Sequence, residues 1–140
     1  MAKYNPAIQI KGLKKIENDL INNLSFRWKY NSVLVFNFSL TNTFIYIEGK
    51  KNEKDFSNYK IRIEYSHKSE PKVFIDEPSI LNSVPHRYPD KSLCLYKKTK
   101  FSWSNSNSIA KDIVTLIIMW VYYYEIWKIT NVWYGREASH

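Results

Sequence analysis

The chain's one cysteine, Cys94, sits in the run Pro85-His86-Arg87-Tyr88-Pro89-Asp90-Lys91-Ser92-Leu93-Cys94-Leu95-Tyr96. A thiol can attack an activated carbonyl and keep the acyl group as a thioester, provided that it is available as the thiolate. Arg87, Lys91, Lys97, Lys98 and Lys100 lie close by in sequence. Positive charge there favours the thiolate over a thiol of ordinary pKa about 8.5; read the other way, these are solvated loop cations. If the segment is extended, Leu93 and Leu95 point one way and Cys94 the other, which leaves the sulfur on the open side of an anchored strip. His86, eight residues earlier, is either a base for the thiol or a loop anchor through its ring nitrogens. A Cys–His pair alone lacks the orienting third group of a papain-type site. His140 is either a base that folds back or an ordinary terminal residue.

One cysteine excludes an internal disulfide and a CxxC metal site. No metal and no cofactor is expected, and no glycine-rich phosphate loop is present. The composition is 44% hydrophobic and 16% aromatic, so a chain of 140 residues can bury about two-thirds of its unfolded surface in one core. Three glycines and five prolines leave little for linkers, and residues 1–140 read as one domain. A net charge of +8 suits an acidic partner without naming one. No nucleic-acid motif accompanies it, so no nucleic acid is expected. A basic α+β nucleic-acid module, marked by steep salt dependence of binding, stands as the reading from another class.

The elements that must position Cys94 follow from periodicity. Asn5 and Pro6 read as an N-cap and first helical residue, and Leu13, Ile16, Leu20 and Leu24 recur at helical spacing, interrupted by Gly12. The period then drops to two. Phe26, Trp28 and Tyr30 alternate with cations, followed by Leu34, Phe36 and Phe38, by Phe44 and Tyr46, and by Tyr59, Ile61, Ile63 and Tyr65; residues 72–75 could add a short strand. The charged stretch 49–57 reads as a solvated connection. Residues 76–107 lose all periodicity and hold three of the five prolines, His86 and Cys94; a loop of that length in a compact domain is usually functional. Ile109, Ile113, Leu116, Ile117, Trp120, Tyr124 and Trp127 then define a second helix, capped by upstream Ser and Asn with Asp112 in its first turn. Its aromatics read as core in preference to a base-stacking platform. The apolar stretch 113–124 is too short to span a bilayer, and the first residues lack a signal-peptide core, so a cytoplasmic protein with no membrane contact is expected.

An amphipathic helix, an antiparallel meander, Tyr59-Lys60-Ile61-Arg62-Ile63-Glu64-Tyr65 and Glu70-Pro71-Lys72-Val73-Phe74-Ile75 resemble the ubiquitin-conjugating (UBC) fold. His86-x-Tyr88, Leu93-Cys94-Leu95-Tyr96, Trp103, Ser108-Ile109-Ala110, Tyr124-Glu125-x-Trp127, Thr130 and Trp133-x-Gly135 resemble the compact bacterial conjugating-enzyme-like proteins of type II anti-phage CBASS operons. The likeness covers about residues 59–135 by motif and the first part by element order.

The resemblance implies an α+β UBC-like fold: a meander of about four antiparallel strands, an N-terminal helix and a long buried C-terminal helix. It implies that Cys94 carries a protein C-terminus as a thioester and passes it to an amine. The implied partner and cargo is the cyclic-oligonucleotide-synthesising nucleotidyltransferase, whose activity the conjugation raises. Short systems of this type have no separate activating enzyme, so the cargo would arrive already activated. The eukaryotic relatives place proline and asparagine after the loop histidine, and that asparagine serves the oxyanion. Arg87 and Tyr88 stand here instead, which leaves a backbone N–H near Cys94, Asn105 and Asn107 as candidate donors. A catalytically idle scaffold of the same fold is the alternative. Oligomeric state is open.

Overall fold

The order of elements in the computed structural model, which describes residues 4–96 and 101–135, is one helix, six strands and a helical run: α1 (Pro6–Lys15), β1 (Ile21–Lys29), β2 (Val33–Leu40), β3 (Asn42–Ile47), β4 (Lys50–Asp55), β5 (Lys60–Tyr65), β6 (Lys72–Glu77), a π-helical turn (Ile109–Ile113) and α2 (Val114–Thr130). This is the α+β architecture expected from the sequence, with a four-stranded antiparallel sheet in the order β1-β2-β5-β6.

Helix α1 starts where Asn5 and Pro6 say it should. The Asn5 side chain accepts from the Ile8 N–H at 3.2 Å, and Pro6 is the first helical residue. It ends sooner than the spacing of Leu20 and Leu24 suggests. Asn18 takes a left-handed φ of 74°, its N–H bonds to the Ile21 carbonyl at 2.7 Å, and the Glu17 carboxylate accepts from the Leu24 N–H. That local network turns the chain into β1, so the apolar period past Ile16 is fortuitous.

The core face of the sheet follows from the pairing. Phe38 opposes Ile61, Phe36 opposes Ile63, and Leu34 opposes Tyr65, and all six are buried. Arg62 lies on the other face, ion-paired with Asp76 and Glu64 and stacked over Phe74. The stretch 49–57, expected as a solvated connection, is mostly strand. Glu48 (φ 50°) and Gly49 (φ 77°) make a two-residue turn with two left-handed positions, and β3 and β4 form a hairpin in a second sheet of their own. Strand β4 carries no apolar alternation, so its sequence looked like loop.

The helical run opens with a reciprocal cap: the Ser108 side chain accepts from the Lys111 N–H, and the Asp112 carboxylate accepts from the Ser108 N–H at 2.8 Å. It closes at Asn131, whose left-handed φ of 62° ends the last turn. The run Ile109–Thr130 has 22 residues, well beyond the 12-residue apolar stretch read from sequence, and is long and apolar enough by itself to cross a membrane. Packing accounts for the apolar residues otherwise, since Val114, Ile117, Ile118, Trp120, Val121, Tyr124 and Trp127 are buried in one core with the sheet. The Tyr59 hydroxyl reaches across to donate to Glu125 at 2.7 Å, and burial first, then Glu125, push its pKa up.

Helix α1 docks on the start of this run through Gln9. Its amide nitrogen donates to the Asn107 carbonyl at 2.9 Å and its oxygen accepts from the Ile109 N–H at 2.8 Å, so a buried polar group is satisfied at both ends. Nearby, a Cβ at Gly12 would stand 3.6 Å from that of Ala110, an ordinary contact. Gly12→Ala is therefore expected to stabilise the fold by about 0.5–1 kcal/mol through helix propensity, measured as a rise in denaturant midpoint.

Candidate functional site

Cys94 lies on the second arm of a small hairpin within the irregular stretch between β6 and the helical run. Arg87 pairs antiparallel with Leu93. The Tyr88 N–H donates to the Ser92 carbonyl at 2.8 Å, and the Cys94 N–H donates to the His86 carbonyl at 2.9 Å. Sequence explains the turn between the arms. Pro89 fixes the first corner, the Lys91 N–H returns to the Tyr88 carbonyl, and Lys91 itself is left-handed at φ 75°. Asp90 staples it, accepting from the Ser92 hydroxyl at 2.6 Å, the Ser92 N–H at 2.9 Å and the Lys72 ammonium at 3.1 Å. The hairpin is sewn to the sheet where the Leu93 N–H donates to the Val73 carbonyl of β6.

The Ser92 hydroxyl first, then the Ser92 N–H and Lys72, hold the Asp90 carboxyl below the ordinary carboxylate range. A carboxyl lowered by folding contributes stability that is present above its unfolded pKa, about 3.9, and is lost as pH falls through the lower folded value. Asp90→Asn is expected to flatten that acid limb. The side chain is 43% exposed, so the cost at neutral pH stays within about 1 kcal/mol. Denaturant midpoints of both proteins between pH 2 and 7 check this.

His86 is anchored by its backbone. Its carbonyl accepts both the Cys94 N–H and, at 3.0 Å, the buried indole N–H of Trp120 on α2. Its φ of 62° is unusual for a residue with a Cβ, and its ring lies 5.0 Å from that of Trp133. The His86 carbonyl thereby ties the hairpin to α2.

The expected exposure of the sulfur is corrected. Leu93 and Leu95 do line one open surface, a cleft of about 700 Å³ bounded also by Glu70, Tyr88, Tyr96 and Trp103. Cys94 points elsewhere and is 4% exposed. The cause is tertiary: the N–H bond to His86, itself held by Trp120, draws residue 94 in toward the α2 layer. Tyr88, which also walls the cleft, is the diagonal neighbour of Cys94 across the hairpin, and burial first, then Cys94, push its pKa up. On the far wall the Tyr96 hydroxyl donates to Glu70 at 2.6 Å, and burial first, then Glu70, push its pKa up.

Of the candidate oxyanion donors, the Cys94 N–H is taken by His86. The Asn107 side chain is committed to Asp112 and to Ser104 at the helix start. Asn105 is half-buried. Arg87 is half-buried and Lys91 exposed in the turn. Lys97, Lys98, Lys100 and His140 lie outside the described residues. Among the described residues no group of three or more His, Cys, Asp or Glu side chains gathers to hold a metal ion. Sequence reasoning passed over Trp120 and Glu70 as parts of this site. The Trp120 signal was present but absorbed into the helical core, and nothing local marks Glu70.

A model of the family described as type II CBASS E2 protein matches residues 24–140. Comparison with curated proteins returns no match.

Proposed function

The chain belongs to the type II CBASS E2 protein family, and from that premise we propose that Cys94 accepts a protein C-terminus as a thioester and hands it to an amine. The cargo is the C-terminus of the cyclic-oligonucleotide-synthesising nucleotidyltransferase, and the conjugation primes anti-phage signalling in the cytoplasm. The observation that carries the reading is Cys94's setting: one thiol, held through His86 on the core helix and flanked by two leucines that wall an open cleft. The thiolate attacks the carbonyl carbon of an already activated C-terminus, and the previous carrier leaves as a thiolate. An amine then displaces Cys94 and keeps the acyl group as an amide, losing a proton. Because Cys94 is 4% exposed, loading needs the Tyr88 side chain or the hairpin to yield.

A peptide with the nucleotidyltransferase's C-terminal sequence, supplied as a small-molecule thioester, tests this. The expected product is one acyl adduct on the intact protein, removed by hydroxylamine or excess thiol. Folded protein that alkylates at Cys94 yet takes up no peptide would sink it. The burial of Cys94 favours a second reading, an idle scaffold that docks the nucleotidyltransferase without chemistry. That reading requires a thiol inert to small alkylating reagents in the native state.

A further inference from the structure

We infer that the outer edge of β1 is a docking strip for an extended, acidic segment of a partner protein, which joins the sheet as one more strand. The inference uses no part of the Cys94 site and stands whether or not the thiol carries cargo.

Strand β1 ends the four-stranded sheet, so only one of its edges is bonded, to β2. The other edge is covered at its start. There Glu17 bridges to Ile21, and the Glu17 carboxylate takes the Leu24 N–H. Residues 25–28 then pair regularly with β2, and among the described residues no group bonds to their outer side. Every second residue of a strand turns its N–H and C=O outward, and an unpaired row of such groups templates another strand.

The side chains state which strand would fit. Phe26 and Trp28 lie opposite the buried Phe36 and Leu34, so they carry the apolar face of the sheet one strand further. They remain 43% and 49% exposed. Arg27, between them, turns to the opposite face and is exposed. Lys14 of α1 stands 5.8 Å from the centre of the Phe26 ring, so the basic end of that helix borders the same edge. Among the described residues neither Lys14 nor Arg27 makes an ion pair. A strand added about 4.8 Å away would set alternate residues beside Phe26 and Trp28 and the rest beside Arg27. Apolar and acidic residues in alternation satisfy both faces, and the net charge of +8 favours the same partner at long range.

Charge decides against a second copy of the chain as the occupant. Pairing β1 with its own counterpart gathers Arg27 and Lys29 of both copies on one face, and like charges opposed across strands are destabilising. The open backbone row decides against nucleic acid, which has no peptide groups to complete it.

The probe is a fluorescein-labelled peptide of four Glu-Val repeats, titrated with the full chain at low salt and read by anisotropy. Saturable binding is expected, weakened by added salt and about fivefold by Arg27→Glu. The same peptide N-methylated at every residue keeps its side chains and loses every N–H, and it is expected to bind at least tenfold more weakly. Hydrogen exchange should show the amides of residues 25–28 gaining protection on binding. No binding up to about 1 mM, equal binding of the N-methylated peptide, or unchanged exchange at residues 25–28 overturns the inference. So does an oligothymidylate that binds there more tightly than the peptide, or a dimer of the free chain that protects the same amides. Arg27 is exposed, so Arg27→Glu is expected to keep the thermal midpoint. Should it fail to fold, the N-methylated peptide decides alone, because it leaves the protein unaltered.

Discussion

Replacing Cys94 with serine is expected to abolish the thiol-reducible adduct with the cargo completely, while leaving a folded protein. The chain holds no other thiol that could substitute. Serine's hydroxyl is a far weaker nucleophile near neutral pH without an adjacent base. Any product would be an ester, slow to form and resistant to reductant. Burial of residue 94 adds a stability term: a hydroxyl placed there costs about 1–3 kcal/mol unless bonded. A non-reducing gel and a denaturant melt together check both halves. A Cys94→Ser protein that still gave the reducible band would end the thioester mechanism and put the scaffold reading first.

His86 separates the two roles that a loop histidine can play. Its carbonyl survives any substitution, so the anchor to Cys94 and Trp120 depends on the backbone staying left-handed at residue 86. Asparagine tolerates that conformation and alanine resists it at roughly 1–2 kcal/mol. His86→Asn should therefore load cargo at near the parent rate. His86→Ala should be less stable and up to about 10²-fold slower through misplacement of the hairpin. If the imidazole is the base, both variants slow alike and lose an imidazole-like pH dependence, and the anchor account falls.

The start of α1, the alternation of β5 and the length of α2 were legible in the sequence because each is decided locally. Asn5 and Pro6 cap and start a helix by their own chemistry, and Ile61, Ile63 and Tyr65 face one way by the period of a strand. What was not legible is decided by contacts between distant residues, or by surfaces that bury nothing. Leu20 and Leu24 extend the helical period only by coincidence, since Asn18 and Glu17 divert the chain first. Strand β4 pairs along its whole length but packs no apolar face, so Lys50, Lys51, Lys54 and Asp55 read as loop. Gln9 looked like a surface polar residue and closes the α1 interface by reaching about a hundred residues ahead. The same limit governs the site. Its long aperiodic segment and its His and Cys were visible, whereas the burial of Cys94 depends on which carbonyl its N–H finds. That carbonyl is set by Trp120, two elements away.

Trp120 is accordingly where fold and site are expected to fail together. Its indole stacks on Tyr124 at 5.5 Å and leans on Trp133 at 5.3 Å, while its N–H holds the His86 carbonyl in the core. Trp120→Ala removes a buried aromatic and should cost about 3–5 kcal/mol, a large share of the ~5–15 kcal/mol typical of whole domains. Trp120→Phe keeps most of the apolar volume and deletes the hydrogen bond, at about 1–3 kcal/mol including the loss of one partner to a buried carbonyl. The phenylalanine variant is the sharper probe, because the His86 carbonyl then keeps only the Cys94 N–H and the hairpin should open more often. Its Cys94 should alkylate faster at every pH, with the midpoint of the profile unmoved. Access changes there, whereas the side chains around the sulfur do not. A Trp120→Phe protein as stable as the parent, with Cys94 no more reactive, would mean that the α2 anchor does not hold the hairpin closed.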